Sequence, residues 1–456
     1  MPRIITIETP SLGDRSYIVH DGLTAFVVDP QRDIDRVLDV VRDEGVTITH
    51  VFETHIHNDY VTGGLALAQA TGARYYVNAE DRVSFERTPI RDGETVAVGE
   101  TLSVRAIATP GHTFTHLSYA LEESGEPIGV FTGGSLLFGT TGRPDLMGPE
   151  HTDALVHHQY ASAHRLADEL PDQASVLPTH GFGSFCSAGS SSGSDASTIG
   201  AERRVNAALT EAEEAWVAGV LAALDAYPAY YVHMAPANAA GPGAPDLGEP
   251  RPADKGAIAR SLAAGEWVVD LRTRTAYAAG HVRGSLNTGI DGQFSTYLGW
   301  LIPWGTPLTL LGESREQVAN AQRELARIGI DELQGAATGK PDDWTDAPLG
   351  AYERATFADL AQVRHHRPVT ILDVRRRSEY EAAHIDDAVN IPIHELLERL
   401  DDVPAGETWV HCASGYRASI AASVLAADGR HVVLVDDDFD GHAKDAALRL
   451  VEGAPA

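Results

Sequence analysis

Histidines placed just after strand-like segments are the feature that most limits how this chain can fold. His55, His57 and Asp59 are spaced two residues apart and follow Ile48–Glu53, a run rich in β-branched and aromatic residues that predicts a strand. The cluster is therefore expected in a loop at the end of a strand, where α/β folds usually carry their chemistry. Imidazoles and a carboxylate this close together suit a divalent metal, and an exposed polar turn is the alternative interpretation of so short a motif.

Three further motifs place polar or glycine residues after a strand-like segment. Thr109–Thr113 (TPGHT) presents His112, Phe131–Leu136 (FTGGSL) enters a glycine turn, and a last strand delivers His180. In this order and spacing the four motifs resemble the metallo-β-lactamase superfamily. The resemblance implies that residues 1–236 form an αββα sandwich with a metal site on loops at one edge. The residues that it assigns are His55, His57 and His112 at a first metal, with Asp59 and His180 at a second metal or around it.

Within the superfamily, Gly142–Leu146 (GRPDL) and His180–Cys186 (HGFGSFC) look most like the persulfide dioxygenases. That resemblance implies one Fe(II) per chain, with zinc as the alternative, and oxidation of a thiol persulfide to sulfite. Two residues depart from the family pattern, because Tyr60 stands where many members have histidine and Gly134 stands where the family has an aspartate ligand. With no carboxylate at position 134, His57 could complete a three-histidine site, or the domain could be a remnant without metal.

The chain has two cysteines, Cys186 and Cys412, which fall in different predicted domains. A disulfide framework is therefore excluded, and each thiol is expected in its reduced form. Cys186 lies six residues after His180 and could carry sulfane sulfur next to the metal. The simpler interpretation is a small residue in a tight glycine-serine turn.

An internal repeat follows a segment rich in proline, glycine and alanine, residues 237–253, which predicts a linker. Five residues recur at identical offsets in the two copies, namely Asp270, Arg272, Tyr277, His281 and Asn287, and Asp373, Arg375, Tyr380, His384 and Asn390. The pattern predicts a small parallel-sheet α/β domain that occurs twice, at residues 254–345 and 352–452, with structural roles for these polar residues. Both copies resemble the rhodanese (sulfurtransferase) fold.

The copies differ in the loop after one strand. In the second copy the strand ends at His411 and is followed by Cys412, Ala413, Ser414, Gly415, Tyr416, Arg417 and a helix-like stretch. Backbone N–H groups at a helix N-terminus, together with Arg417, should favour a thiolate at Cys412 and hold the extra sulfur of a persulfide. The first copy has Glu313 in its loop and no cysteine, so it is expected to be catalytically inactive.

Net charge limits the class of partner. A net charge of −30 makes a nucleic acid or an anionic membrane an improbable partner, and the sequence has no apolar run long enough to cross a bilayer. We found no signal-peptide pattern at the N-terminus and expect a cytoplasmic protein. The sequence leaves homo-oligomerisation open.

Taken together, these features predict an enzyme of sulfide and persulfide metabolism. A low-molecular-weight thiol persulfide would be oxidised to sulfite at the metal, and Cys412 would pass sulfane sulfur to an acceptor such as sulfite, giving thiosulfate. One alternative is a sulfurtransferase with a metal-free or zinc-binding remnant domain. Others are a zinc thioesterase of glyoxalase II type and a non-catalytic persulfide sensor.

Overall fold

The computed structural model describes residues 2–189 and 193–453. The chain divides into two compact units. The first contains the residues up to Asp246 together with Ala326–Gly329, and the second contains Leu247–Leu325 and the residues from Ile330 onward. The division after Asp246 falls inside the predicted linker.

Two six-stranded sheets form the first unit. The strands of one sheet are β1 (Arg3–Thr9), β2 (Asp14–His20), β3 (Thr24–Val28), β4 (Thr47–Phe52), β5 (Arg74–Asn78) and β6 (Thr88–Ile90), paired in that order. Those of the other are β7 (Thr95–Ala97), β8 (Leu102–Ala108), β9 (Leu117–Glu123), β10 (Glu126–Gly133), β11 (Ser175–Pro178) and β12 (Ser197–Thr198), again in chain order. The first sheet is antiparallel from β1 to β3 and parallel from β3 to β6.

Helices cover the outer faces of both sheets. The helices of this unit are α1 (Asp35–Glu44), α2 (Gly64–Thr71), α3 (Pro149–Glu169), α4 (Ile199–Val205), α5 (Ala207–Thr210), α6 (Glu213–Ala223) and α7 (Tyr231–Ala240). Val37 of α1 and Leu67 of α2 pack on the first sheet, and Val156 of α3 packs on the second. A third apolar cluster, with Phe26 and Phe131, lies between the sheets. The predicted αββα sandwich is therefore confirmed.

The second unit contains two parallel sheets. Its first half has α8 (Lys255–Ala263), β13 (Trp267–Asp270), α9 (Arg274–Ala279), β14 (Leu286–Asn287), α10 (Phe294–Leu301), β15 (Leu308–Gly312), α11 (Arg315–Arg327), β16 (Leu333–Thr338) and α12 (Pro341–Trp344). Its second half has β17 (Glu353–Ala355), α13 (Phe357–Arg364), β18 (Thr370–Asp373), α14 (Arg377–Ala382), β19 (His384–Ile385), β20 (Val389–Asn390), β21 (Glu407–His411), α15 (Tyr416–Ala427), β22 (His431–Val435) and β23 (Leu450–Val451).

Strand order is β14-β13-β15-β16 in the first half and β17-β22-β21-β18-β20 in the second. Every pair in these two sheets is parallel. Buried parallel strands are near-continuous apolar runs because both faces of the sheet are covered, as Leu308–Gly312 and His431–Val435 illustrate. Among the described residues, no helix is both long and apolar enough to cross a membrane.

The repeated polar residues form the same hydrogen bonds in both copies. Arg272 Nη2 donates to Asp270 Oδ2 at 2.6 Å, and Arg375 Nη2 donates to Asp373 Oδ2 at 2.6 Å. The side-chain amide of Asn287 donates to the carbonyls of residues 270 and 272, and the corresponding asparagine of the second copy repeats this pattern. These residues tie β13 in the first copy and β18 in the second to the loop and strand that follow, so their role is structural.

Candidate functional site

Three histidines from three strand ends meet in the first unit. His55 follows β4, His112 follows β8 and His180 follows β11. Their ligand atoms all lie within 4.8 Å of one another, and all three side chains are buried. The Nε2 atom of His112 has no hydrogen-bond partner among the described residues. A buried imidazole nitrogen without a partner is costly unless it binds something, so this group fits a metal ion.

The orientation of the three rings supports the same conclusion. His112 Nδ1 donates to the Arg143 carbonyl at 2.9 Å, and His180 Nδ1 donates to Asp14 Oδ1 at 2.8 Å. His55 Nδ1 lies 2.8 Å from the Thr54 hydroxyl oxygen, which itself donates to Asp29. With each Nδ1 held by an oxygen, Nε2 is the ring nitrogen that each of these histidines could offer to a metal. Such outer partners fix the ring and tautomer of metal-binding histidines.

The electrostatic environment differs among these histidines. Burial, with a smaller contribution from the charge of His180, lowers the pKa of His112 to about 3, so this ring is neutral, as a metal ligand must be. Burial lowers the pKa of His180 too, but Asp59 and Asp14 together raise it well above its ordinary value. A metal held by His180 Nε2 would take the place of a proton.

His57, which the sequence assigns to the first metal, has acidic neighbours around one of its ring nitrogens. Its Nε2 atom lies 3.1 Å from Glu53 Oε2, 3.4 Å from Asp29 Oδ1 and 3.0 Å from the Tyr60 hydroxyl. Burial alone would lower the pKa of His57, but the two carboxylates raise it to about 9. Acidic side chains therefore engage Nε2 of His57, whereas its Nδ1 atom is buried without a hydrogen-bond partner among the described residues, so the assignment of His57 as a metal ligand through Nδ1 stays a prediction. His180 is the third member of the group of ligand atoms that contains His55 and His112.

A second group of ligand atoms surrounds Asp59. His57, Asp59 and His180 also lie with one atom each within 4.8 Å, and Asp59 Oδ2 is 3.1 Å from His180 Nδ1. The sequence-based assignment of Asp59 and His180 to a second metal or its surround corresponds to this group. Tyr60 binds His57 through its hydroxyl and lies in the same loop.

Gly134 is required by the position of His112. A Cβ atom at residue 134 would overlap the His112 ring, well inside van der Waals contact with its Cδ2 atom and 2.9 Å from its Nε2 atom. A Cβ atom at Gly142 would lie 2.8 Å from His112 Nδ1. The ring is thus packed between two glycines. An aspartate could not be placed at residue 134 without moving His112.

Cys186 lies close to this site and is fully buried. Its Sγ atom is 3.9 Å from the Tyr231 hydroxyl, and burial together with the charges of Asp59 and Asp14 raises the pKa of the thiol well above its ordinary value. This environment favours the protonated thiol over the nucleophilic thiolate. Its role as a sulfur carrier stays a prediction.

Other residues of the first unit support the site and were missed in the sequence. The side-chain amide of Asn238, fully buried on α7, donates to the carbonyls of His57 and Tyr60 at 2.9 and 2.8 Å. Asp29 accepts hydrogen bonds from the backbone N–H and the hydroxyl of Thr54. The sequence feature that could have identified Asp29 is its position directly after AFVV, the apolar end of β3, where its carboxylate is buried.

Cys412 lies in the loop between β21 and α15, as predicted. The Gly415 N–H donates to Cys412 Sγ at 3.2 Å, and Gly415 has a left-handed backbone conformation with φ of 90°. Ala413 and Ser414 complete the turn before α15, and Tyr416 is the first residue of that helix. The sulfur thus lies beside a backbone N–H at the start of a 12-residue helix, where helix N-termini bind anionic groups.

The Arg417 guanidinium is not available to Cys412 alone. Its Nη1 and Nη2 atoms donate to Glu379 Oε2 and Oε1 at 2.6 and 2.7 Å. Burial would raise the pKa of Glu379, but the hydrogen bonds and charge of Arg417 hold it at about 2. Glu379 was not predicted from the sequence. A signal existed in the difference between the two copies, since Ala276 occupies the same place in the first copy.

Two family models match separate parts of the chain. Residues 14–180 match the family model of the metallo-β-lactamase superfamily, and residues 356–445 match that of the rhodanese-like domain. The chain carries a metallo-β-lactamase-fold domain followed by a rhodanese-like domain. A metallo-β-lactamase from Staphylococcus aureus subsp. aureus COL superposes with a TM-score of 0.66 and 27% identity, covering 74% of this chain and 99% of that chain.

Curated relatives match about a third of the chain. Hydroxyacylglutathione hydrolase of Polaromonas sp. (strain JS666 / ATCC BAA-500) is 30% identical over 160 residues, which are 35% of this chain and 57% of that protein. The enzyme of the same name from Pseudomonas entomophila (strain L48) is 33% identical over 156 residues, 34% of this chain and 56% of that protein. The chain thus spans a little over half the length of these relatives. ETHE1 from Myxococcus xanthus is 29% identical, with a TM-score of 0.45, over 52% of this chain and 98% of that chain.

Proposed function

We propose that this protein acts in sulfide and persulfide metabolism through two centres. The lactamase-fold domain would oxidise a low-molecular-weight thiol persulfide to sulfite at one metal ion. The rhodanese-like domain would carry sulfane sulfur on Cys412 and deliver it to an acceptor such as sulfite. The observation that carries the proposal is the Gly415 N–H that holds Cys412 Sγ at 3.2 Å within a domain that matches the rhodanese-like family.

Sulfur transfer needs no external oxidant or reductant. The Cys412 thiolate attacks the outer sulfur of a persulfide or of thiosulfate, the S–S bond of the donor breaks, and the donor leaves as a thiolate or as sulfite. The sulfur stays on Cys412 as a persulfide. Sulfite, or another acceptor, then attacks the outer sulfur of this persulfide. A bond between the acceptor and that sulfur forms, the S–S bond to Cys412 breaks, and the Cys412 thiolate is restored. Covalent transfer in two steps lets donor and acceptor react at different times.

In the first unit, His55, His112 and His180 are the residues that would hold the metal. Bound iron(II) would supply the oxidising chemistry by bringing a persulfide and O₂ to one centre. Thr54, Asp14 and the Arg143 carbonyl orient the three rings, and burial keeps bulk water away. In net terms, the persulfide takes up one O₂ and one water and releases a thiol, sulfite and protons.

A metal analysis on protein purified without oxygen tests the first centre. We expect about one iron per chain, lost in His180→Ala. The matched control is His50→Ala, a half-buried histidine on β4 that lies in none of the three groups of possible ligands. If the protein holds no stoichiometric metal, the oxidation half of the proposal is wrong and the chain is a sulfurtransferase only.

A Cys412→Ser variant tests whether the two centres are separate. Thiosulfate:cyanide sulfur transfer should vanish, whereas O₂ uptake with a persulfide such as glutathione persulfide should remain. Loss of both activities in a folded variant would contradict the two-centre scheme.

Thioester hydrolysis is the second candidate for the first unit. It is favoured by the 30–35% identity to hydroxyacylglutathione hydrolases over about 140 to 160 residues. Stoichiometric zinc together with turnover of an acylglutathione thioester, and no O₂ uptake with a persulfide, would establish that activity instead.

A further inference from the structure

The copy without a cysteine contacts the Cys412 loop directly. Arg274, the first residue of α9, donates from Nε to Asp436 Oδ1 at 2.5 Å. Its Nη2 atom lies 3.5 Å from the carbonyl of Ser414, two residues after the cysteine. Asp436 follows β22 of the second copy, and its side chain is almost completely buried. An arginine of the first copy thus meets both the loop and a buried carboxylate behind it.

Asp436 packs against the residue that binds the sulfur. A Cβ atom at Gly415 would overlap Asp436 Oδ1 and would lie 3.2 Å from Arg274 Nε. The N–H of the same glycine donates to Cys412 Sγ. Because Gly415 has a left-handed backbone, its peptide orientation depends on neighbours that leave no room for another conformation. The Arg274–Asp436 pair provides one such neighbour.

The next residue of the loop is also held by the first copy. The Tyr416 hydroxyl donates to the Gly289 carbonyl at 2.7 Å, and its ring centroid is 5.9 Å from that of Tyr297. A Cβ atom at Gly292 would overlap the Tyr416 ring, so the segment at 292 fits closely against it. Ser414 and Tyr416 therefore contact the copy without a cysteine directly. Gly415 packs against Asp436, which is bound to that copy.

We propose that the first copy is a working half of the sulfur-transfer site, in which Arg274 is a positioning residue. Through Asp436 and the Ser414 carbonyl, Arg274 holds the Gly415 N–H on the sulfur of Cys412. This inference rests on the proposed role of Cys412 and gives a function to a copy expected to be inactive. It assigns no catalytic step to Arg274, which touches neither Cys412 nor a reacting atom.

A second arginine provides a matched control. Arg354 donates from Nη2 to Asp436 Oδ2 at 2.7 Å, on the other oxygen of the same carboxylate. Arg274→Met and Arg354→Met each remove one guanidinium from Asp436 and leave the other in place. Only the first variant removes the group that also reaches the Ser414 carbonyl and lies beside Gly415. Comparing the two variants therefore distinguishes an effect of Arg274 on the position of the Cys412 loop from the loss of one positive charge beside Asp436.

The experiment uses the full chain and two readouts. For thiosulfate:cyanide transfer, we expect Arg274→Met to lower kcat about 10- to 100-fold with KM for thiosulfate changed less than about threefold, because the nucleophile and not the binding of the donor is disturbed. Iodoacetamide should alkylate Cys412 about tenfold more slowly at neutral pH, read by peptide mass spectrometry so that Cys186 is counted separately. Arg354→Met should stay within about twofold of wild type in both readouts.

Conservative variants keep the test decisive if Arg274→Met does not fold. Arg274→Lys retains the charge but not the two-point contact and should recover only part of the lost rate, and Asp436→Asn should resemble Arg274→Met. Equal effects of Arg274→Met and Arg354→Met, or wild-type alkylation and kcat in Arg274→Met, would overturn the inference. If wild type shows no transfer that depends on Cys412, the proposed function fails, whereas the alkylation rates still decide whether Arg274 positions the loop.

Discussion

Replacing Glu379 with glutamine tests the charge balance of the Cys412 loop. Glu379 binds Arg417 through both carboxylate oxygens at 2.6 and 2.7 Å, with side chains that are 24% and 12% exposed. The substitution Glu379→Gln keeps the size of the side chain and one possible hydrogen bond, but it removes the negative charge. Its effect on unfolding therefore measures what the ion pair contributes to the folded chain.

The magnitude follows from the pKa of Glu379, which is lowered from the ordinary 4.5 to about 2. Each tenfold change in proton affinity corresponds to about 1.4 kcal/mol, so the pair stabilises the folded chain by roughly 3 kcal/mol at neutral pH. Solvent screening of a partly exposed pair reduces this figure, and we expect a loss of about 2–3 kcal/mol in Glu379→Gln. Because the folded-state pKa is the lower one, the stabilisation is complete above about pH 4.5 and is lost as the pH falls toward 2.

Urea unfolding of wild type and Glu379→Gln at pH 7 and at about pH 3.5 checks this prediction. Tryptophan fluorescence reports on the second unit because five of the six tryptophans lie there, at positions 267, 300, 304, 344 and 409. The difference between the two proteins should shrink at about pH 3.5 to roughly 60% of its value at pH 7. A difference below about 1 kcal/mol at pH 7, or one that is the same at both pH values, would refute the reasoning.

The control for this experiment is Glu395→Gln in the same unit. Glu395 binds Arg399 at a similar distance, 2.7 Å, but both side chains are about one-third exposed. We expect at most about 0.5 kcal/mol from this surface pair. In activity assays, Glu379→Gln leaves the Arg417 charge without a carboxylate partner, so KM for thiosulfate, a dianion, should fall about three- to tenfold.

Three further substitutions test other contacts. Gly134→Ala should lower the free energy of unfolding of metal-depleted protein by about 1–3 kcal/mol, because the new methyl overlaps His112, whereas Gly129→Ala, whose methyl would make ordinary contacts at 3.4 Å or more, should do so by less than about 1 kcal/mol. Gly415→Ala should reduce thiosulfate:cyanide transfer more than tenfold while O₂ uptake is unchanged, since both its backbone angle and its surroundings exclude a side chain. Asn390→Ala should cost about 1–3 kcal/mol in urea unfolding, because two buried carbonyls lose their donor; no loss would contradict a structural role.

The fold of the first unit could be predicted because its motifs mark strand ends. Each of His55, His112 and His180 follows an apolar segment that forms a strand, and ends of strands in a two-sheet sandwich converge at one edge. The choice of ligands could not be predicted in the same way. His57 is two residues from His55, and residue spacing does not show which nitrogen of its ring is free: Nε2 is bound by Glu53 and Asp29, whereas Nδ1 has no hydrogen-bond partner among the described residues.

The Cys412 loop could be predicted because the whole of it is one continuous segment between a strand and a helix. Its electrostatic partner could not, since Glu379 is 38 positions from Arg417 along the chain. The contribution of the first copy could not be predicted from the sequence either, because Arg274 and Asp436 are 162 positions apart along the chain. The residues of one continuous loop can therefore be predicted from the sequence, whereas the residues that set the charge and geometry of that loop come from segments far away along the chain.

Comparison of the two copies separates residues of the fold from residues of the chemistry. The repeated set, represented by Asp373 and Asn390, forms the same hydrogen bonds in each copy, so it is needed for folding whether or not a thiol is present. The positions that differ lie around the sulfur. The strand register places Gly312 of the first copy where the second has Cys412, and Ala276 occupies the place of Glu379. The first copy thus keeps the repeated hydrogen bonds of the fold without a thiol, and its surface supports the Cys412 loop instead.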